Sequence, residues 1–334
     1  MTKSLNLLEI LLMMKSIGLF CSMTSNSIIM YLLLFRSRTT LGTYRYLMIC
    51  YTIIEMLCSI SYSCSDIAAY STNVTYVFFR SVDDLDRTVG QVIICELYSY
   101  FFNLKFFFIS LQFCGMYTAL ITILSVHFVY RYVSLCATEH LDTFFSTCKL
   151  GLWVLACLMS GVFIGIWKYC LLRDDEYTKE LLRPEFMFHY NLSMENVVFN
   201  MKFVMIILFT CMLNMFLFGY KCYTSLQLPS NLSNRMKSLQ TQLFNALLIQ
   251  SIIPVFFMYI PISLLFLSPM VGIGFGVYGN VTMICLALYP PLDQFAILYI
   301  IRDFRTAVKD FIMGKSKSSL FKIGKTNSVH TVYG

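Results

Sequence analysis

The chain has 334 residues, of which 58% are hydrophobic and 13% charged, with a mean hydropathy of +0.69 and a formal charge of +7. A soluble domain spends about a quarter of its positions on charge, so water is excluded as the main solvent. A positive balance this small gives no ground for a nucleic-acid partner, and the basic residues sit mostly in short connections and the tail, where anionic lipid headgroups can meet them.

Taken in chain order, long apolar runs predict an all-α membrane protein with seven transmembrane helices. A bilayer core of about 30 Å needs roughly 20 helical residues, and the spans fall at 17–35, 46–70, 98–130, 150–167, 203–220, 243–267 and 270–300. They leave a short amino-terminal segment, 1–16, and a tail, 302–334. The first run lacks a compact basic start and a small-residue cleavage site, so it reads as a retained helix. Lys and Arg number fifteen in one set of alternate connections plus the tail, against nine in the other. The positive-inside rule then puts the amino terminus outside and the tail in the cytoplasm. Asn73-Val74-Thr75 and Asn191-Leu192-Ser193 fall in outside connections as glycosylation acceptors.

Most of the thirteen cysteines lie inside apolar runs, where a thiol packs as a small hydrophobe. No CxxC pair or His/Cys ligand spacing is present, so neither a metal nor a cofactor is expected. HExxH, GxSxG and P-loop patterns are also lacking, which argues against an enzyme.

Three groups of polar residues stand out. At the end of the third span, His127-Phe128-Val129-Tyr130-Arg131-Tyr132 puts His127 and Arg131 one turn apart on one helix face. Arg131 reads either as a membrane-boundary anchor or as a link to a neighbouring helix. Glu55 lies about 16 Å down its helix from Tyr44, near mid-membrane. A carboxyl there needs a proton or a partner. Asn26, Gln112, Asn280 and Asp293 are the candidates, in a cluster that serves as a hinge or simply as interhelical glue. Pro254 and Pro261 in the sixth span, and Pro290 and Pro291 in the seventh, predict kinks. Beyond the last span, Ile300, Phe304, Val308, Phe311 and Ile312 alternate with basic residues as in a short amphipathic helix on the membrane surface.

In order and spacing these segments resemble the nematode seven-transmembrane chemoreceptors of the Str superfamily, most closely serpentine receptor classes r and j. The similarity runs through Leu41-Gly42-Thr43-Tyr44-Arg45-Tyr46, His127 to Tyr132, Leu239-Gln240-Thr241-Gln242, Gln250, Ile253-Pro254, Tyr259-Ile260-Pro261 and Tyr289-Pro290-Pro291-Leu292-Asp293. It implies a rhodopsin-like receptor architecture and a G-protein-coupled chemosensory receptor in the plasma membrane of a sensory cilium. Its partners would be a small external molecule, volatile odorants included, and a heterotrimeric G protein. Tyr130, Arg131 and Tyr132 would then stand at the third-helix activation motif, beside His127, and Asp293 at the seventh-helix one.

The family's Leu-Asp-Pro reads Leu292-Asp293-Gln294 here, and residues 173–199 hold no cysteine for the disulfide many rhodopsin-like receptors carry. Cys95 with Cys170 is the nearest substitute. Asn103, Phe107, Gln112, Tyr259 and Tyr278 are candidate pocket residues in the outer halves of the helices. A ligand-gated channel of the insect odorant-receptor kind also has seven spans, with the amino terminus inside. A small transporter would use midplane charges such as Glu55 as coupling sites.

Overall fold

The computed structural model describes residues 2–36, 43–65, 67–73, 76–80, 115–171, 197–198, 204–227 and 234–313. Its seven long helices are α1 (Thr2–Tyr31, prolonged by a π turn over Leu32–Arg36), α2 (Tyr44–Ser65), α3 (Met116–Cys136), α5 (Thr147–Leu171), α6 (Val204–Gln227), α7 (Asn234–Pro254) and α9 (Asn280–Ile300). A π turn, Val255–Tyr259, carries α7 on into α8 (Ile260–Leu267), while α4 (Leu141–Phe145) and α10 (Arg302–Ile312) are short. Only closed hydrogen-bonding arrangements such as helices satisfy a backbone in lipid. Five of these segments are long and apolar enough to cross a membrane, or six if the bent pair α4–α5 counts as one span.

The bundle is organised around α3, which packs on α2, α5 and α6, and around α9, which packs on α1, α2 and α7. Large apolar side chains point away from it, among them Leu155, Phe163, Phe209, Phe216 and Phe256. On a water-soluble protein that much exposed apolar surface would be a defect, whereas against lipid it is the expected face. Contact between α1 and α9 depends on Gly18: a Cβ there would stand 2.5 Å from the Ala287 carbonyl oxygen. Small residues permit such close approach of membrane helices. Gly18→Leu is therefore expected to cost about 1–3 kcal/mol through overpacking, read as a lower melting temperature of the purified protein.

Several boundaries differ from those predicted. Helix α1 begins at Thr2 rather than at 17, α3 continues past 130 to Cys136, and α7 starts nine residues before 243. The second span ends at Ser65 instead of 70, because Ile67–Ser71 forms a strand, β1, that pairs antiparallel with β2 (Tyr76–Arg80). β2 in turn pairs with β3 (Val197–Val198). β-Branched and aromatic residues suit such a ladder, but the segment's high hydropathy disguised it as helix. The seventh helix starts at Asn280, not 270, since Gly272 and Gly276 take φ of +73° and +56°. Those values suit glycine and stop a helix. Gly276 uses this freedom to pair with Ser71 by two backbone hydrogen bonds of 2.7 and 3.3 Å. The edge of β1 that faces away from β2 is thereby tied to the connection preceding α9.

Candidate functional site

Two buried polar layers cross the bundle. The first joins α1, α2, α7 and α9 at mid-height. Glu55 and Asp293 are both fully buried. One Asp293 carboxylate oxygen accepts from the Tyr51 hydroxyl at 2.7 Å and from the Gln250 amide at 2.8 Å. Tyr51 also meets the Tyr289 hydroxyl at 3.3 Å. The next residue along, Gln294, donates its side-chain amide to Glu55. Asn26 faces Glu55 from α1 and donates to the Ser22 carbonyl at 2.9 Å and to the Ser22 hydroxyl at 3.1 Å. Ser22 and Ser59 share a 2.7 Å hydroxyl contact, which stitches α1 to α2. The predicted association of Asn26, Glu55 and Asp293 is thus present.

Asn280 does not belong to it. As the first residue of α9 it lies thirteen positions from Asp293, about 20 Å along a helix. Its side-chain oxygen accepts from the Ala69 backbone amide at 2.8 Å, fixing β1 to the start of α9. The Tyr62 hydroxyl adds a 2.6 Å bond to the Met283 carbonyl oxygen. The expectation failed because the last span was placed ten residues too early, which put Asn280 at mid-membrane.

The second layer lies at the opposite end of the bundle, around Arg131. Arg131 is 2% exposed, and its guanidinium sits over the Tyr44 ring, 3.7 Å from the centroid. One of its amino groups donates to the Gln240 side-chain oxygen at 2.7 Å. Arg131 of α3 is thus held by α2 on one side and α7 on the other. Among the described residues no carboxylate pairs with it. A buried guanidinium stacked on an aromatic face gains from cation–π attraction of about 2 kcal/mol when desolvated. His127 packs between the Tyr44 and Tyr51 rings, each 5.4 Å away by centroid, and so links the two layers. Tyr130 meets the Thr43 hydroxyl at 3.0 Å and packs edge-on against Phe145 of α4. Tyr132 turns outward to Phe218 and Lys221 of α6.

Of the candidate pocket residues, Tyr259 is half-buried in the π turn and Tyr278 is 59% exposed. Asn103, Phe107, Gln112, Asn191 and Cys95 lie outside the described residues, as does the side chain of Cys170. Asn73 is exposed just after β1. Sequence reasoning passed over Tyr51, and it gave Tyr44, Gln240 and Gln294 no contact role. The available signal was an amide or phenol set inside an otherwise apolar run, where membrane helices use such groups to bind one another.

The comparisons with known proteins agree with this architecture. A sequence model of the serpentine-type seven-transmembrane G-protein-coupled chemoreceptors, Str, matches residues 12–205 and 197–309. Serpentine receptor class r-10 of Caenorhabditis elegans is 28% identical over 332 residues, covering 90% of this chain and 91% of that protein. The Caenorhabditis briggsae serpentine receptor class r-10 is 26% identical over 91% of both chains. The G-protein coupled receptor str-33 of Caenorhabditis elegans is 23% identical over 90% of both. The matched segments run from within α1 through α9, with the Glu55, Arg131 and Asp293 layers inside them. The chain belongs to the Str family of serpentine seven-transmembrane G-protein-coupled chemoreceptors.

Proposed function

We propose that this receptor detects a small external molecule at a sensory cilium and passes the signal to a heterotrimeric G protein through the end of the bundle that carries Arg131. In this reading the amino terminus and the small sheet face outward, and Arg131 and α10 face the cytoplasm. The observation that carries it is the burial of Arg131 between Tyr44 and Gln240. An arginine held by a ring and a neutral amide, with no acid opposite among the described residues, is released at modest cost when α7 moves. Ligand binding would shift a two-state equilibrium in which the resting state keeps this contact. The midplane layer, spanning α1, α2, α7 and α9, is suited to couple movement at the outer end to that release.

The test is calcium imaging of cells expressing the receptor with a promiscuous G protein, screened with small volatile and water-soluble compounds. Ligand-evoked responses that vanish without the G protein support the reading, whereas currents that persist without it point to a channel. Orientation has its own test. Asn73 is exposed on the sheet end of the protein, so it is expected to carry a glycan. A glycosidase-sensitive gel shift lost in Asn73→Gln supports the outward sheet, and a wild-type chain without any shift counts against it.

A further inference from the structure

The start of α10 has no cap of its own. Ile301, the residue before it, takes φ of −76° and ψ of 112°, and its carbonyl oxygen accepts from the Arg305 amide at 3.0 Å, which opens the helix. A residue at that position usually offers a side-chain oxygen to one of the amides that a first turn leaves without a helical partner. Isoleucine carries none.

The missing oxygen comes from another helix. Gln242 of α7, 60 residues earlier in the chain, accepts from the Arg302 amide at 3.1 Å through its side-chain oxygen. A backbone N–H can only donate, so this contact also settles which way the Gln242 head group points. Its nitrogen then donates to the Ser238 hydroxyl at 3.2 Å, one turn back on α7. The other holds on α10 include Arg305, which donates to the Tyr299 carbonyl oxygen of α9 at 3.2 Å, and the buried Phe304.

Gln240 stands two positions before Gln242, about 200° round the same helix, and holds Arg131 of α3. This end of α7 is therefore gripped on opposite sides, by α3 through Gln240 and by α10 through Gln242.

We propose that Gln242 is a positioning residue that caps α10 from α7, so that the first turn of α10 is held while α7 rests on the bundle and frays when α7 leaves it. The order of α10 thereby reports the position of α7 at the end of the protein that carries Arg131. Any part this plays in signalling rests on the coupling function proposed above, whereas the cap does not.

The test is amide hydrogen exchange of the full-length receptor in lipid nanodiscs, read over residues 303–306. Loss of an N-cap shifts local opening about fivefold, and exchange is expected to quicken by that factor in Gln242→Leu. Gln242→Glu keeps an acceptor oxygen, adds a negative charge that suits a helix N-terminus, and should exchange like the wild type. Gln240→Ala alters the contact with α3, yet by freeing α7 it should quicken exchange in α10 about threefold. A merely local role for Gln242 would not transmit that change. Arg302→Pro removes the donated N–H at a position where proline suits a helix start, and the extended Ile301 already fits a following proline. In that background Gln242→Leu should change nothing, and an effect that persists there overturns the cap. Equal exchange in Gln242→Leu and wild type overturns it too, and unchanged exchange in Gln240→Ala overturns the control by α7. Gln242→Asn, one methylene shorter, replaces Gln242→Leu if the latter does not fold. Faster amide exchange in a receptor that drives no nucleotide exchange on any G protein would support the cap and remove only the coupling function.

Discussion

Arg131→Ala is expected to lower ligand-evoked nucleotide exchange on the G protein sharply while leaving the receptor at the cell surface. The substitution removes the cation that α3 places between Tyr44 and Gln240. Charge-assisted hydrogen bonds contribute about 1.5–3 kcal/mol each, so loss of one made only in the signalling complex lowers coupling by roughly 10- to 150-fold. Folding should tolerate the change, because a buried charge with no acidic partner among the described residues disappears along with its desolvation cost. Gln240→Ala is expected to act in the opposite direction. Freeing Arg131 from α7 removes an interhelical bond whose average in membranes is about 0.6 kcal/mol, near a threefold rise in ligand-independent exchange. Surface labelling alongside a nucleotide-exchange assay measures both. An Arg131→Ala receptor that still responds to ligand would remove Arg131 from the coupling role.

The second large effect is expected at Asp293. Alanine there strands the Tyr51 hydroxyl and the Gln250 amide, both of which now donate to one carboxylate oxygen. In a soluble core two stranded donors would cost about 2–6 kcal/mol. Membrane helices recover part of this by finding other partners, so a cost of about 1–3 kcal/mol is expected. The melting temperature and the surface density of Asp293→Ala should both fall. Asp293→Asn keeps an acceptor oxygen and should recover most of the loss. Identical stability of Asp293→Ala and wild type would show that the two donors find other partners at no cost.

The helical membrane bundle was legible because hydropathy over about twenty residues is set by the bilayer's thickness and not by any partner. Helix ends were less so. Tyr70 and Met270 both lie in apolar sequence, yet one belongs to a strand and the other precedes the last helix. The deciding contact, Ser71 with Gly276, joins segments that no local window sees together. Among the site residues, Glu55 and Asp293 announced themselves as charges in apolar surroundings, and Arg131 as the end of a run. Their partners are tyrosines and amides, ordinary enough in a chain with 22 tyrosines to carry no signal alone. Gln294 was visible as a departure from the family's proline, and the structure gives that departure a use as the donor to Glu55.

The bond between Glu55 and Gln294 joins residues 239 positions apart. At a synthesis rate of about 5–20 residues per second, the second helix waits roughly 12–50 s before its partner has been made. For that interval the Glu55 carboxyl has Asn26 of α1 beside it but neither Gln294 nor Asp293 of α9. Completion of the midplane layer therefore comes late in synthesis, once α9 has been made. Substitutions around it should be sorted by how long the nascent receptor lingers before export, as well as by how the mature one signals.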